Sequence, residues 1–243
     1  MTRRVRIDRL LVERGLFESR AKAQQAIAAG TVLANGIFIA KPAEEVSVDA
    51  ELEAAPAHPW VSRGGVKLAA ALDHFGIDPA GRVCLDVGAS TGGFTQILLA
   101  RGARRVYAVD VGRNQLHPSL RKRPEVVAIE ATDVRKLDAA LVEKPLELVT
   151  VDVSFIPLKL VLPAALALAR PAAETVVLIK PQYEAGPEQV KKGIVRDPVV
   201  HERVCADVRA LIASLGWTTI GVIPSPIAGG DGNHEFLIAA RRG

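Results

Sequence analysis

Four ionisable residues stand where an apolar run meets a loop: Lys67, Asp152, Lys180 and Glu235. Lys67 follows Ser62-Arg-Gly-Gly-Val at the start of a helical pattern. Asp152 closes an apolar run in Thr150-Val-Asp-Val-Ser-Phe, and Lys180 closes the next in Val177-Leu-Ile-Lys-Pro-Gln. Glu235 opens the last run, in Gly232-Asn-His-Glu-Phe-Leu. Taken singly, each reads as a solvated charge at the end of a strand. Around one cleft, two lysines and two carboxylates can hold and move a proton, which is general acid–base chemistry. Lys180 is the most constrained of the four, because Pro181 forces the chain into an extended exit.

The ligand such a set would serve is indicated upstream. Residues 83–94 read Val-Cys-Leu-Asp-Val-Gly-Ala-Ser-Thr-Gly-Gly-Phe, an apolar strand followed by a glycine-rich turn that opens a helix. In an α/β sheet that turn is where a nucleotide-like ligand binds. The spacing is neither G-x-G-x-x-G nor a phosphate loop, since no Gly-Lys-Ser/Thr follows. D-x-G-x-x-x-G-G points instead to S-adenosylmethionine (SAM), with glycines that let the backbone approach the ligand and Asp86 as an acceptor for its cationic methionine end. Asp110, at the tip of the next apolar run about twenty residues on, is placed to accept the ribose hydroxyls of an adenosine. Asp133 either accepts from the adenine or caps a short helix at Val134.

A chain of 243 residues, 49% apolar, has room for one large domain and a small one. Aromatics are only 4%, so the core is Ala, Val, Leu and Ile. Cys84 and Cys205 form no disulfide or metal pattern and the five histidines do not cluster, which predicts a reducing cytoplasm and no metal site. The first residues carry no apolar core of a signal peptide, and no apolar stretch reaches the about eighteen residues needed to span a bilayer. The net charge of +4 is uneven. Residues 1–41 carry eight Lys/Arg and three Asp/Glu, whereas residues 42–57 carry five acids and no Lys or Arg. A local basic block suits a polyanion-binding module or, equally, a solvated face.

The Pro/Ala-rich run Ala54-Ala-Pro-Ala-His-Pro-Trp60 marks a connection, and the chain divides into a head over 1–57, a linker over 58–62 and a body over 63–243. In the head, Ile7, Leu10 and Leu11 predict a helix over 7–14, and Ser19 caps a second over 20–29. Asn35-Gly36 predicts a type I′ hairpin between them and the acidic stretch. In the body, strands are predicted over 83–87, 106–109, 126–129, 146–151, 175–179, 218–223 and 236–240, and helices over 66–75, 94–100, 158–169 and 198–215. The fold expected is α/β, a Rossmann-like, doubly wound, seven-stranded sheet whose last strand, after the turn at 229–232, runs antiparallel.

The head resembles the S4 RNA-binding domain through Arg6-Ile-Asp-Arg-Leu-Leu, Gly15, Ser19-Arg20, Ala23, Ile27, Gly30 and Val32…Asn35-Gly36, which makes it a small α+β module. The body resembles the FtsJ-type RNA 2′-O-methyltransferases, with Lys67, Asp152, Lys180 and Glu235 at their Lys-Asp-Lys-Glu positions. Together the two are most similar to the hemolysin A (TlyA) family of rRNA methyltransferases. One departure is Thr132-Asp133-Val-Arg135, where the family usually has Thr-Asn-x-Arg.

This resemblance implies a SAM-dependent enzyme acting on the 2′-OH of a cytidine in 16S rRNA, 23S rRNA or both. It implies Lys180 as base, Asp152 and Glu235 orienting it, and Lys67 positioning the ribose. It implies Asp86, Gly88, Ser90, Gly92, Gly93, Phe94, Asp110 and Asp133 as cofactor contacts, and Arg6, Arg9, Arg14, Arg20 and Lys22 as RNA contacts. The expected partner is the ribosomal subunit, met by a monomer in the cytoplasm without a membrane. The rival readings are a membrane-active hemolysin, as the family name suggests, and an RNA-binding protein with an inactive methyltransferase domain.

Overall fold

The computed structural model describes residues 3–142, 145–229 and 232–243. The chain divides into two compact units, one ending at Pro59 and one beginning at Trp60.

In the first unit, strand β1 (Arg4–Arg6) runs straight into helix α1 (Ile7–Glu13), and helix α2 (Arg20–Ala28) follows. Ile7, Leu10 and Leu11 are buried on one face of α1, and Ala23, Ala26 and Ile27 on the facing side of α2. The alanines permit close approach of the two helices. The Ser19 hydroxyl accepts from the Lys22 N–H and caps α2. Strands β2 (Val32–Ala34) and β3 (Ile37–Phe38) form the predicted hairpin, and Asn35 and Gly36 both have positive φ, 50° and 74°, as a type I′ turn requires. Two features go beyond the sequence expectation. Strand β4 (Glu45–Ser47) pairs antiparallel with β1, and β5 (Leu52–Ala54) pairs antiparallel with β2. At three residues each, these strands are too short to show an alternating pattern.

The second unit is built on one sheet. Its strands are β6 (Val83–Val87), β7 (Arg105–Val109), β8 (Val126–Ile129), β9 (Leu146–Val151), β10 (Ala169–Ile179), β11 (Trp217–Pro224) and β12 (Phe236–Arg242). They lie in the order β11-β12-β10-β9-β6-β7-β8. Neighbours pair in parallel except β12, which runs antiparallel to both β10 and β11. The seven predicted strands are all present. Of the predicted turn at 229–232, residues 230 and 231 lie outside the described residues.

Strand residues alternate between two cores. Cys84, Leu148, Val176 and Leu237 face helices α3 (Gly64–Phe75) and α4 (Gly93–Ala100). Leu85, Val149, Val177 and Ile238 face α6 (Leu158–Ala167) and α8 (Pro198–Ser214). Both faces of the sheet are therefore covered, which is why the parallel strands read as near-continuous apolar runs. Short helix α5 (Pro118–Arg121) packs by β8, and one-turn helix α7 (Pro181–Glu184) follows β10.

Leu148, fully buried on the central strand β9, tests this core. Leu148→Ala should lower the unfolding free energy by about 2–5 kcal/mol in urea titrations.

Candidate active site

The loop after β6 is shaped by contacts that exclude side chains. Gly88 has φ 82°, and a Cβ there would lie 2.3 Å from the Asp152 carbonyl oxygen. Gly88 is therefore required where the ends of β6 and β9 meet. Its N–H and that of Ala89 both donate to the Val109 carbonyl, at 2.8 and 3.2 Å. Asp110 ties the turn together, with one carboxylate oxygen accepting from the Ser90 N–H at 2.8 Å and the other from the Gly112 N–H at 2.7 Å. The result is a cleft of about 360 Å³ bounded by Gly88, Ser90, Asp110, Gln115, Asp133 and Asp152, with an apolar wall that includes Val87, Val134 and Ile156. Asp133 takes the capping role and also borders the cleft. It caps the short 3₁₀ helix at Val134–Lys136 by accepting from the Arg135 N–H at 2.9 Å, and it lines the cleft. The Arg135 guanidinium holds its carboxyl down at about 2.

Four of the expected cofactor contacts do not line the cleft. Asp86 is fully buried and accepts from the hydroxyls of Thr95 (2.6 Å) and Thr150 (3.1 Å). Strand alternation turns it toward the layer that holds α4, so its carboxylate is committed to the two threonines and does not open on the cleft. Phe94 is buried among α3, α4 and the sheet. Gly92 and Gly93 serve packing. A Cβ on Gly92 would strike Leu120 at 2.3 Å, and one on Gly93 would strike the Ser62 hydroxyl at 2.2 Å.

The four ionisable residues do converge. Lys180 Nζ lies 2.6 Å from Asp152 Oδ1 and donates to Ser154 Oγ at 2.8 Å. Lys67, in α3, makes a buried ion pair with Glu235. A second cavity, of about 460 Å³, is lined by Arg63, Lys67, Lys180, Gln182 and Glu235. Ser154 and Phe155 border both cavities, so the Lys180–Asp152 pair sits at their common wall. Phe155 is 88% exposed with φ 62°, and its ring lies 5.0 Å from that of Tyr183.

Several contributors were not assigned a role from the sequence. Ser154 holds Lys180. Gln115 shares a hydrogen bond with the Ser90 hydroxyl at 3.1 Å. Glu130 accepts from the N–H groups of Asn114, Gln115 and Leu116 and pairs with Arg121, which keeps its carboxyl at about 2 and anchors the loop over the cleft. Ser154 stands in the same short run as Asp152, Thr150-Val-Asp-Val-Ser-Phe, which was the available signal.

In the first unit, the basic residues take different positions. Arg6 and Arg20 meet at Asp8, while Arg9 is exposed. Arg14 donates to the carbonyls of Ala50 and Val48, bracing the segment before β5, and Lys22 pairs with Glu18 at 2.5 Å.

Comparison with known proteins agrees with this fold. The FtsJ-like methyltransferase family matches residues 60–242, and the S4 domain matches residues 5–52. The 16S/23S rRNA (cytidine-2′-O)-methyltransferase TlyA of Mycobacterium tuberculosis is 46% identical over 99% of this chain and 91% of its own. Hemolysin A of Brachyspira hyodysenteriae is 38% identical, covering 96% of this chain and 98% of its own. A solved structure of a candidate hemolysin from Streptococcus thermophilus superposes with a TM-score of 0.78 at 40% identity, covering all of this chain and 90% of that one.

Asp86 yields a prediction on pH. Burial pushes its carboxyl up to about 7, partly offset by the two threonine hydroxyls. A carboxyl raised on folding stabilises the fold most at low pH, and that contribution fades between about pH 4 and pH 7 as the unfolded chain ionises first. Asp86→Asn should therefore lose less stability than the parent across that window, measured by denaturant unfolding at stepped pH; equal slopes would remove Asp86 as the source.

Proposed function

The chain belongs to the FtsJ-like methyltransferase family and carries an S4 domain ahead of it, and from that premise we propose that it moves a methyl group from SAM to the ribose 2′-OH of a cytidine in ribosomal RNA. The observation that carries this reading is the Lys180–Asp152 pair at the wall between two cavities, with the Lys67–Glu235 pair lining the second of them.

The first cavity fits SAM. The Gly88 approach leaves backbone where a side chain would intrude, and acidic acceptors stand at both polar ends. Gly88 and Ser90 would hold it through the loop, Asp110 would accept from its ribose hydroxyls, and Asp133 would accept from its adenine amino group. When bound, SAM supplies an electrophilic methyl group on a positively charged sulfur.

The second cavity receives the target nucleotide. Its 2′-OH is a weak acid, so transfer is assisted by a base, and Lys180 takes that role at the shared wall. Asp152 and Ser154 fix the Lys180 amine from two sides. Glu235 fixes Lys67, which holds the ribose. Much of the rate comes from aligning the attacking oxygen with the methyl group, and a closed set of ion pairs is suited to that task. The S4 head supplies affinity for the ribosomal subunit through its basic face, with 16S, 23S or both as the substrate RNA. The membrane-active reading has less support: among the described residues no helix is long and apolar enough to cross a membrane.

Asp110→Ala should weaken SAM binding by about 1–3 kcal/mol in calorimetry, since charged hydrogen bonds to the ribose are lost. Unchanged affinity would remove Asp110 from the site.

Lys180→Arg should leave SAM affinity intact and lower turnover on ribosomal subunits by about two to four powers of ten, because a guanidinium stays protonated and accepts no proton. Target RNA with a 2′-deoxy sugar at the modified nucleotide should bind and receive no methyl group. Methylation of that RNA would move the acceptor to a base atom, and wild-type turnover by the arginine variant would assign the base to another group.

A further inference from the structure

Asp8 is an unusual residue to find in the interior of a small unit. Its carboxylate is wholly buried, yet it faces two arginines and an amide. Arg6 donates to it twice, from Nε to Oδ1 at 3.1 Å and from Nη2 to Oδ2 at 3.0 Å. Arg20 Nη2 donates to Oδ2 at 2.8 Å, and Gln24 Nε2 donates to the same oxygen at 2.8 Å. The Arg6 guanidinium above all holds the Asp8 carboxyl well below the usual range, so it stays charged. The two arginines are not buried with it, since their side chains keep 39% and 47% of their exposure.

Burying a charge to pair it with half-exposed partners adds little to stability. The arrangement has a different consequence. Arg6 ends β1 and Arg20 opens α2, and two guanidiniums brought together without a shared anion would repel. Asp8 neutralises one of the two positive charges and fixes the orientation of both. Each arginine has five N–H groups and spends only one or two on Asp8, and both side chains are part-exposed, so N–H groups remain to meet an anion even though Glu45, opposite Arg6 in the β1–β4 pair, also acts on its charge. A phosphodiester, with two outward oxygens and one negative charge, complements that pair. Guanidiniums held in place in advance lose less side-chain freedom when they bind.

We propose that Asp8 is a positioning residue that holds Arg6 and Arg20 as a two-pronged clamp for an RNA phosphate, with Gln24 locking its carboxylate. This rests on the reading that the first unit binds RNA.

The test uses full-length protein and isolated ribosomal subunits lacking the modification. Binding is measured at several salt concentrations for Asp8→Asn, Arg6→Ala and Arg20→Ala, with thermal unfolding and SAM calorimetry as controls. Asp8→Asn raises the net charge by one, so charge alone would tighten binding. The clamp requires the opposite: subunit affinity about tenfold lower or more, a shallower dependence of log affinity on log salt, and unchanged SAM affinity. A folded Asp8→Asn protein that binds as tightly as the parent, or more tightly, while either arginine variant binds weakly, overturns the positioning role and leaves RNA binding by the head standing. If both arginine variants bind normally, the head does not read RNA through this face, and the proposal falls with that reading. Should Asp8→Asn unfold the first unit, Gln24→Leu carries the test. It keeps the charge and removes one donor, and should lower subunit affinity about fivefold; parental affinity in that variant overturns the clamp.

Discussion

The candidate site depends on the direction of one strand. Six strands of the second unit's sheet run the same way, and β12 alone opposes them. A reversed strand begins where its neighbours end. Ile179 pairs with Phe236, so the next residues outward, Lys180 and Glu235, stand side by side at one rim. Val177 pairs with Val151, and Val87 with Val151, which brings Asp152 and Gly88 to the same rim. Residues separated by up to 147 positions, Gly88 and Glu235, are thus placed along one edge by backbone hydrogen bonds rather than by side-chain attraction. Were β12 parallel, Glu235 would stand at the far end of the sheet and Lys67 would be a buried charge without its anion, a costly arrangement.

That rim is where the chain concentrates its expensive groups. Lys67 and Glu235 are both nearly inaccessible, and Asp86, near the end of β6, is fully buried. Each is compensated locally, the lysine by the glutamate and the aspartate by two hydroxyls and a shift toward its neutral form. Polar groups satisfied by fixed partners do not reorganise when a substrate arrives, which is the property a site that works by alignment needs. The exposed Phe155, held at positive φ where the two cavities join, adds backbone strain at the same place.

The first unit follows the same logic on a smaller scale. A core built from alanines, leucines and isoleucines lets α1 and α2 approach closely, and the buried Asp8 charge is shared by partners that reach the surface. Arg14 shows the contrast. It looks equivalent to Arg6 and Arg20 in a list of basic residues, yet it is committed to the Val48 and Ala50 carbonyls.

By itself the sequence determined the architecture and the residue types of the site. Seven apolar runs with helical patterns between them carry enough periodicity to imply a doubly wound sheet. The glycine turn, Asp110 and the four ionisable residues are short-range signals readable at their own positions. Strands β1, β4 and β5 were not legible, because three residues cannot display a period. The destinations of individual polar side chains were not legible either. Asp86 could face a ligand or the core, and the pleat together with Thr150, 64 residues away, turned it inward. Asp133 could accept from an adenine or cap a helix; the fold makes it a cap that also borders the cleft. Asp8 became a hub only when α1 and α2 packed. Thr150 for Asp86, and Arg20 and Gln24 for Asp8, come from other elements, and such hydrogen bonds and ion pairs are decided by distances of a few ångströms that only tertiary packing sets.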